Sequence, residues 1–266
     1  MKILVIPDIH LKPDIVDWAT GIMHELIKLE NKLPESDRET IGAVFLGDVA
    51  DDFGKQNELA LYEETYDAVI GFLATFKESY FCVGNHDISY VWEMEESGYS
   101  LNEKVQDVVR KKMTTLEKLL GKKRFAFIHC IDNVIFSHAG LSKPYYYRYV
   151  AACPDINSLI SRINTFGVSE LWVDASPIWA RIQSGWFQNS APLICDKLQV
   201  VGHTPLEKVL FEENMNLLSA DVFSTQPDGK PIGKKEDQRF VVVDTVKKTF
   251  GYADEIVSCA PYNDRC

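Results

Sequence analysis

The sequence predicts an α/β protein built on two β-sheets, and three observations carry that expectation. Short apolar runs alternate with helix-period segments from Met1 to Leu120, the second half turns to closely spaced strands, and polar clusters stand where several strands stop.

The first apolar run covers residues 2–6, after which Ile15, Trp18, Ala19, Ile22, Met23, Leu26 and Leu29 recur at helical spacing. The unit repeats: a strand at 43–46, then a helix presenting Leu59, Tyr62, Tyr66, Val69, Ile70, Leu73 and Phe76, then a strand at 80–83. Strands separated by helices imply crossovers and hence a parallel sheet. A third amphipathic segment puts Val105, Val108, Val109, Met113, Leu116 and Leu120 on one face, closed by Lys122, Lys123 and Arg124. Strands are then expected at 125–128, 134–137, 198–201, 208–211, 217–220, 240–243 and 249–252, and their hairpin-like succession points to a second, mixed or antiparallel sheet. Residues 154–192 read as a helical and loop insertion rich in apolar residues and Trp. Residues 225–239, with two prolines and two glycines, read as an exposed loop. The whole chain, 1–266, is expected to be one domain.

With 46% hydrophobic residues the chain can bury a large core, and a formal charge of −11 gives no global attraction for nucleic acid or anionic membrane. Lys111, Lys112, Lys122 and Lys123 read as a solvated face. No apolar run approaches a membrane span and residues 1–6 are too short for a signal peptide, so the expected location is cytoplasmic. Six cysteines without a Cys-x-x-Cys pair indicate neither a zinc knuckle nor a disulfide framework.

Each of the first three strands ends in a polar cluster: Asp8-Ile9-His10, Gly47-Asp48, and Gly84-Asn85-His86-Asp87. Ligands collect beyond the carboxyl ends of parallel strands, so these loops should meet in one crevice. Two later strands end in Ser137-His138-Ala139-Gly140 and Gly202-His203-Thr204-Pro205. Taken singly, such short patterns arise by chance; four of the six histidines gathering at strand ends do not. Carboxylate, imidazole and amide oxygen suit divalent manganese, iron or zinc, and a bridging carboxylate, for which Asp48 is the natural candidate, can hold two ions about 3.5–4 Å apart. His24 and His129 are read as ordinary structural or solvent-facing histidines, Tyr145, Tyr146 and Tyr147 as packing aromatics ahead of a cleft lining that stacks on a nucleobase, and Trp172, Trp179 and Trp186 as a core under the insertion or a lid on the crevice.

The ordered set resembles the calcineurin-like metallophosphoesterase superfamily, and within it the phosphoprotein phosphatase branch and its bacterial and phage relatives, over most of the chain. The resemblance implies that Asp8 and His10 hold a first metal, Asp48 bridges, and Asn85, His138 and His203 hold a second. It implies that His86 is the general acid and that Asp51 orients it. Leu171-Trp172-Val173-Asp174 with Arg181 is loosely similar to a stretch carrying a phosphate-binding arginine in that family. Two departures stand out: Asp52 replaces the arginine of Asp-Arg-Gly, and Val83 stands where an arginine usually precedes Gly-Asn-His. Thr204 occupies the place of a second histidine found in many diesterases of the superfamily, which favours the phosphatase-like branch.

The expected fold is therefore a four-layer α/β/β/α sandwich, two mixed sheets flanked by helices, with two divalent metals, manganese first among them, at the strand ends. The expected activity is hydrolysis of a phosphate monoester, on phosphoprotein or a small molecule, by a hydroxide held between the metals. Hydrolysis of dinucleotide polyphosphates or nucleic-acid phosphates is the alternative. A scaffold that has lost its chemistry is disfavoured, because it would need neither the ligand set nor His86 and Asp51.

Overall fold

The computed structural model describes residues 1–184 and 191–258, so Trp186, Cys259 and Cys266 lie outside the described residues. Two mixed sheets are flanked by helices, as expected. The first has the order β11-β10-β1-β2-β3-β4, from β1 (Lys2–Ile6), β2 (Ile41–Phe45), β3 (Ser79–Cys82), β4 (Phe125–Ala126), β10 (Val241–Asp244) and β11 (Thr249–Tyr252). The second has the order β5-β6-β7-β9-β8, from β5 (Ile128–Ile131), β6 (Val134–Ser137), β7 (Leu198–Val201), β8 (Leu210–Glu212) and β9 (Leu217–Ser219).

Strands β1 to β4 run parallel because helices join them, and β1 and β2 are buried after their first residue, the near-continuous apolar pattern of strands covered on both faces. The crossover helices are α1 (Pro13–Asn31), α2 (Leu59–Thr75) and α4 (Glu103–Leu120). Proline at the first turn and Asp14 beside it start α1; Asn102 caps α4 by accepting from the Lys104 N–H, and Gly121, at φ 67°, ends it. A cap contributes about 1 kcal/mol. Each of Val105, Val109, Met113, Leu116 and Leu120, all buried, contributes on the order of 1.5–3 kcal/mol, so the apolar face decides how α4 docks.

Three expectations need correction. The expected strand at 125–128 is two: β4 closes the first sheet, Phe127 turns the chain, and β5 opens the second. An unbroken apolar run does not show a change of sheet. The last two strands, β10 and β11, do not join the second sheet but return to the first, where β10 lies antiparallel to β1. Adjacency in sequence predicted the β10–β11 hairpin but not its partner. Finally, Gly84-Asn85-His86-Asp87, expected in a loop beyond the strand, starts an eight-residue helix, α3 (Asn85–Trp92), too short to display an apolar period.

The stretch from 154 contains α6 (Ile156–Ile163) and α7 (Val168–Leu171), following α5 (Lys143–Tyr145), which continues as a π-turn to Val150. Among the described residues no helix is long and apolar enough to cross a membrane.

His129 is a structural residue of this architecture. Its Nε2 donates to the Phe81 carbonyl at 3.1 Å, tying β5 to β3 across the two sheets, and burial pushes its pKa down to about 4. The folded protein therefore keeps the imidazole neutral while the unfolded chain takes up a proton below pH 6.5, so this contribution to stability falls as pH drops from 6.5 towards 4. At pH 5 the loss amounts to about 2 kcal/mol relative to neutral pH. Urea midpoints at pH 7 and pH 5 should differ less in His129→Gln than in wild type by this amount; equal differences would contradict the assignment.

Candidate active site

The first sheet sends three strand ends to one rim. Beyond β1 lie Asp8 and His10, beyond β2 lies Asp48, and beyond β3 lies Asn85, the first residue of α3. In the second sheet β6 and β7 run parallel and deliver His138 and His203 to the same rim. Backbone bonds lace the loops together: His10 N–H to the Asp48 carbonyl at 3.0 Å, and Gly202 N–H to the His138 carbonyl at 2.8 Å. Side chains lace them further, the Asp8 Oδ1 accepting from the His203 N–H at 2.9 Å and the Asp48 Oδ1 from the His86 N–H at 3.0 Å.

Several of these residues hold left-handed backbone that their side chains disfavour: His10 (φ 43°), Asp48 (52°), Asp51 (63°) and His203 (64°). Two glycines permit the close approach. A Cβ on Gly84 would overlap the Asp48 carboxylate, and one on Gly202 would overlap the Asp8 Oδ2.

Asp87, unassigned from sequence, organises the Asp48 loop. Its carboxylate accepts from the N–H groups of Asp48 (2.8 Å), Val49 (3.0 Å) and Ala50 (3.2 Å), and from the Tyr66 hydroxyl (2.8 Å). Fixing three consecutive amides, it sets where Asp48 points.

Among the described residues the potential ligand atoms fall into three groups, two of which share Asp48: Asp8, His10 and Asp48 form the first, Asp48, His138 and His203 the second, and Asp51, His86 and Glu96 around the His86 ring the third. In the second, His138 Nε2 lies 3.2 Å from Asp48 Oδ2, 2.8 Å from Asn85 Oδ1 and 3.0 Å from His203 Nδ1. His138 Nδ1 faces the Leu46 carbonyl at 2.9 Å and His10 Nδ1 faces the Asp51 carbonyl at 2.8 Å. Carbonyls only accept, so each Nδ1 donates and each Nε2, once deprotonated, offers its lone pair to the cluster. One nitrogen with at most one hydrogen cannot serve the Asp48 and Asn85 oxygens together, whereas a cation would satisfy these atoms and both imidazoles. The buried Asp8 Oδ2 has no hydrogen-bond donor among the described residues, as a metal ligand requires.

The charge state fits the same reading. Burial opposes the Asp48 carboxylate, but His138, His86 and His10 around it hold its pKa well below the usual range. Burial holds His10 neutral, at about 4, and burial with His138 and Arg181 nearby holds His203 far below its ordinary value. His138 and Asp8 go the other way: burial lowers His138 but Asp48 and Asp8 lift it to about 9, and burial with Asp221 nearby lifts Asp8 well above the carboxylate range, so a divalent metal binding here would displace protons from these two. His86 is raised too: burial lowers it, yet Asp48, Asp51 and Glu96 lift it well above the ordinary histidine value, so it carries a proton to give.

His86 Nδ1 lies 3.0 Å from Asp51 Oδ2, and the other Asp51 oxygen accepts from the hydroxyls of Tyr62 and Tyr90, each at 2.5 Å. The sequence places Tyr62 on a helix face and singles out Tyr90 not at all; only the fold brings them to Asp51. Asp221, also unassigned, follows β9 and is fully buried, with Oδ1 accepting from the Ser224 hydroxyl at 2.7 Å. A lone aspartate after a strand offers no pattern to find it by.

A cleft of about 170 Å³ opens over the group, walled by His10, His86, Glu96, Trp179, Arg181 and His203. Arg181 enters it while its Nη1 donates to the His203 carbonyl at 3.0 Å and the Thr204 hydroxyl at 3.3 Å. Asp174, grouped with Arg181 in the sequence, is exposed, and Tyr145, Tyr146 and Tyr147 do not line the cleft. Asp52, standing where an arginine was expected, accepts from the Thr225 hydroxyl at 2.7 Å and lies 3.8 Å from the Lys12 ammonium.

The sequence model of the calcineurin-like phosphoesterases matches residues 1–226. The chain belongs to that family. It is accordingly a metal-dependent phosphoesterase, a hydrolase of a family that typically binds two divalent metals. Among solved structures, the cold-active protein-tyrosine phosphatase of a psychrophilic Shewanella species aligns over 95% of this chain and 80% of its own, at 16% identity and a TM-score of 0.52, a likeness of fold. A Saccharomyces cerevisiae protein serine/threonine phosphatase similar to human PP5 aligns over 91% and 72%, at 16% identity and a TM-score of 0.47. A putative diadenosine tetraphosphatase aligns over 94% and 92%, at 15% identity and a TM-score of 0.45. No curated protein matches the chain.

Proposed function

We propose that this phosphoesterase is a phosphate monoesterase acting on phosphoprotein or a small phosphorylated molecule, with Asp8, His10 and Asp48 holding one metal and Asp48, Asn85, His138 and His203 the other. The observation that carries the reading is the convergence of donor atoms on Asp48 beneath a cleft whose wall holds both a protonated His86 and the Arg181 guanidinium. Manganese is the expected metal, given nitrogen and oxygen donors without thiolate. When bound, the ions supply Lewis acidity, lowering the pKa of a bound water and bearing charge on phosphoryl oxygens.

The remaining steps belong to the chain. Arg181 faces the cleft as a fixed positive charge suited to a phosphate dianion, its position set by the His203 carbonyl and by Thr204, whose hydroxyl donates to Gln183 Oε1 at 2.9 Å. A monoester carries one more negative charge than a diester, and Thr204 offers no imidazole to help a diester, so this wall favours the monoester. With Nδ1 on Asp51, His86 directs Nε2 towards the leaving group, and as that bond breaks its proton passes to the departing alkoxide. Asp51 supports the imidazolium before transfer and keeps the ring oriented after it, as the two tyrosine hydroxyls hold the Asp51 carboxyl group in place.

The test is a manganese-supplemented comparison of a phosphopeptide, an aryl phosphate monoester, a bis-aryl phosphate and a dinucleotide polyphosphate. The monoesters should turn over fastest. A bis-aryl phosphate or dinucleotide polyphosphate cleaved faster than either would overturn the substrate class.

A further inference from the structure

Asp51 is not the only carboxylate at the general acid. Glu96 Oε1 stands 2.6 Å from the same His86 Nδ1 that Asp51 approaches at 3.0 Å, and the Glu96 side chain is 5% exposed. Neither Glu96 oxygen has a hydrogen-bond partner among the described residues, so its ion pair with His86 is the polar contact it makes. Asp51 is differently placed, because Tyr62 and Tyr90 already donate to it.

The loop that carries Glu96 is tied to this same cluster. It leaves α3 through Glu93 in left-handed conformation and passes against His86 and Asp51 at Gly98, whose φ of 97° is one that glycine adopts freely. It returns with Tyr99 stacked on Tyr90 at 4.5 Å and the Ser100 N–H donating to the Tyr90 hydroxyl at 2.8 Å. Tyr90 therefore clamps Asp51 on one side and the Glu96 loop on the other. A buried carboxylate without donors is costly unless a cation faces it, and the imidazolium of His86 is that cation. Burial pushes Glu96 up to about 7, a sign of how strongly the surroundings resist a second negative charge beside Asp51.

We propose that Glu96 is a second positioning residue of the general acid, flanking the His86 ring as an ion-pair partner at Nδ1 while Asp51 takes the Nδ1 hydrogen, and so fixing the ring with Nε2 facing the leaving group. The inference rests on the general-acid role proposed above for His86. In the step it serves, the Nε2–H bond breaks and the O–H bond of the product alcohol forms. The Nδ1 hydrogen stays bonded to Asp51 with Glu96 beside it, and the ring regains its Nε2 proton from solvent. Because Glu96 acts only through His86, its effect should appear where proton donation limits turnover and nowhere else.

A double-mutant cycle read on two esters tests this. Glu96→Gln keeps the shape and removes the charge; kcat for an alkyl phosphate should fall about 10- to 100-fold, the usual cost of removing a carboxylate that orients a functional imidazole, with KM unchanged. Turnover of an aryl phosphate, whose leaving group needs no proton, should stay within about twofold of wild type, since substitutions away from the limiting step change little. In the His86→Asn background Glu96→Gln should add nothing. On the zinc-loaded protein, the downfield proton resonance of the His86 Nδ1–H should move in Glu96→Gln. Wild-type alkyl turnover in Glu96→Gln beside a slowed His86→Asn overturns this inference alone, and equal losses on both esters, or additive losses in the double variant, overturn it in favour of a purely structural residue. A His86→Asn protein with wild-type alkyl turnover overturns the general-acid reading and this inference with it.

Discussion

Asp48→Asn should strip the protein of both metals and of activity together. Asp48 is the residue shared by the two ligand groups, fully buried, with one oxygen on the His86 amide and the other beside His138 Nε2. An amide in its place offers a neutral oxygen and a donor N–H to atoms arranged for an anion. Loss of an outer partner costs 10–100-fold in metal affinity, so loss of the shared ligand should cost more than about 100-fold. The metal-free variant should still fold, because the amide keeps the shape of the carboxylate and the residue 48 N–H remains held by the Asp87 carboxylate. Manganese at 100 times its dissociation constant stabilises a folded protein by about 2.7 kcal/mol. Wild type should show this as a rise in Tm; Asp48→Asn should show none. A variant that keeps the metal-induced rise and the activity would remove Asp48 from the bridge.

His86→Asn separates chemistry from binding. Asn85, not His86, faces His138, so metal occupancy and the manganese-induced rise in Tm should survive. Turnover of an alkyl phosphate should fall roughly 10²–10⁴-fold, the usual worth of a general acid, while an aryl phosphate should be nearly indifferent. The size of the split between the two esters is the informative quantity. Losses of equal size on both would mean that His86 shapes the site and does not donate the proton.

How much of this was legible in the sequence depended on whether the signal was local. β1, α1, β2, α2 and α4 each carry their own periodicity, and Asp8, His10, Asp48, Asn85, His138 and His203 each sit just beyond an apolar run. Strand-end position was enough to place them on one rim, because parallel strands must finish on the same side. What stayed hidden depends on tertiary choices. The return of β10 to β1 is decided by which sheet edge is open, and the break at Phe127 by where the chain must cross between sheets. Glu96 lies in an acidic loop, Glu93 to Glu96, whose residues look alike in sequence; only the Tyr90 clamp selects one for His86. Tyr62 and Tyr90 were hidden for the same reason, since an aromatic on a buried helix face looks like packing until its hydroxyl has an address.

The departures from the family pattern also take on a physical meaning. Asp52 bonds to Thr225, in the loop that follows β9, and lies near Lys12, so it joins two segments beside the cleft instead of offering charge to phosphate. Arg181 is then the guanidinium lining the cleft among the described residues, and substrate charge should be felt chiefly there.

Anomalous diffraction from crystals grown with manganese tests the central claim most directly. The account predicts two peaks about 3.5–4 Å apart with Asp48 between them, one against Asp8 and His10 and the other against Asn85, His138 and His203. A single peak, or none at Asp48 in protein that hydrolyses phosphate esters, would contradict it.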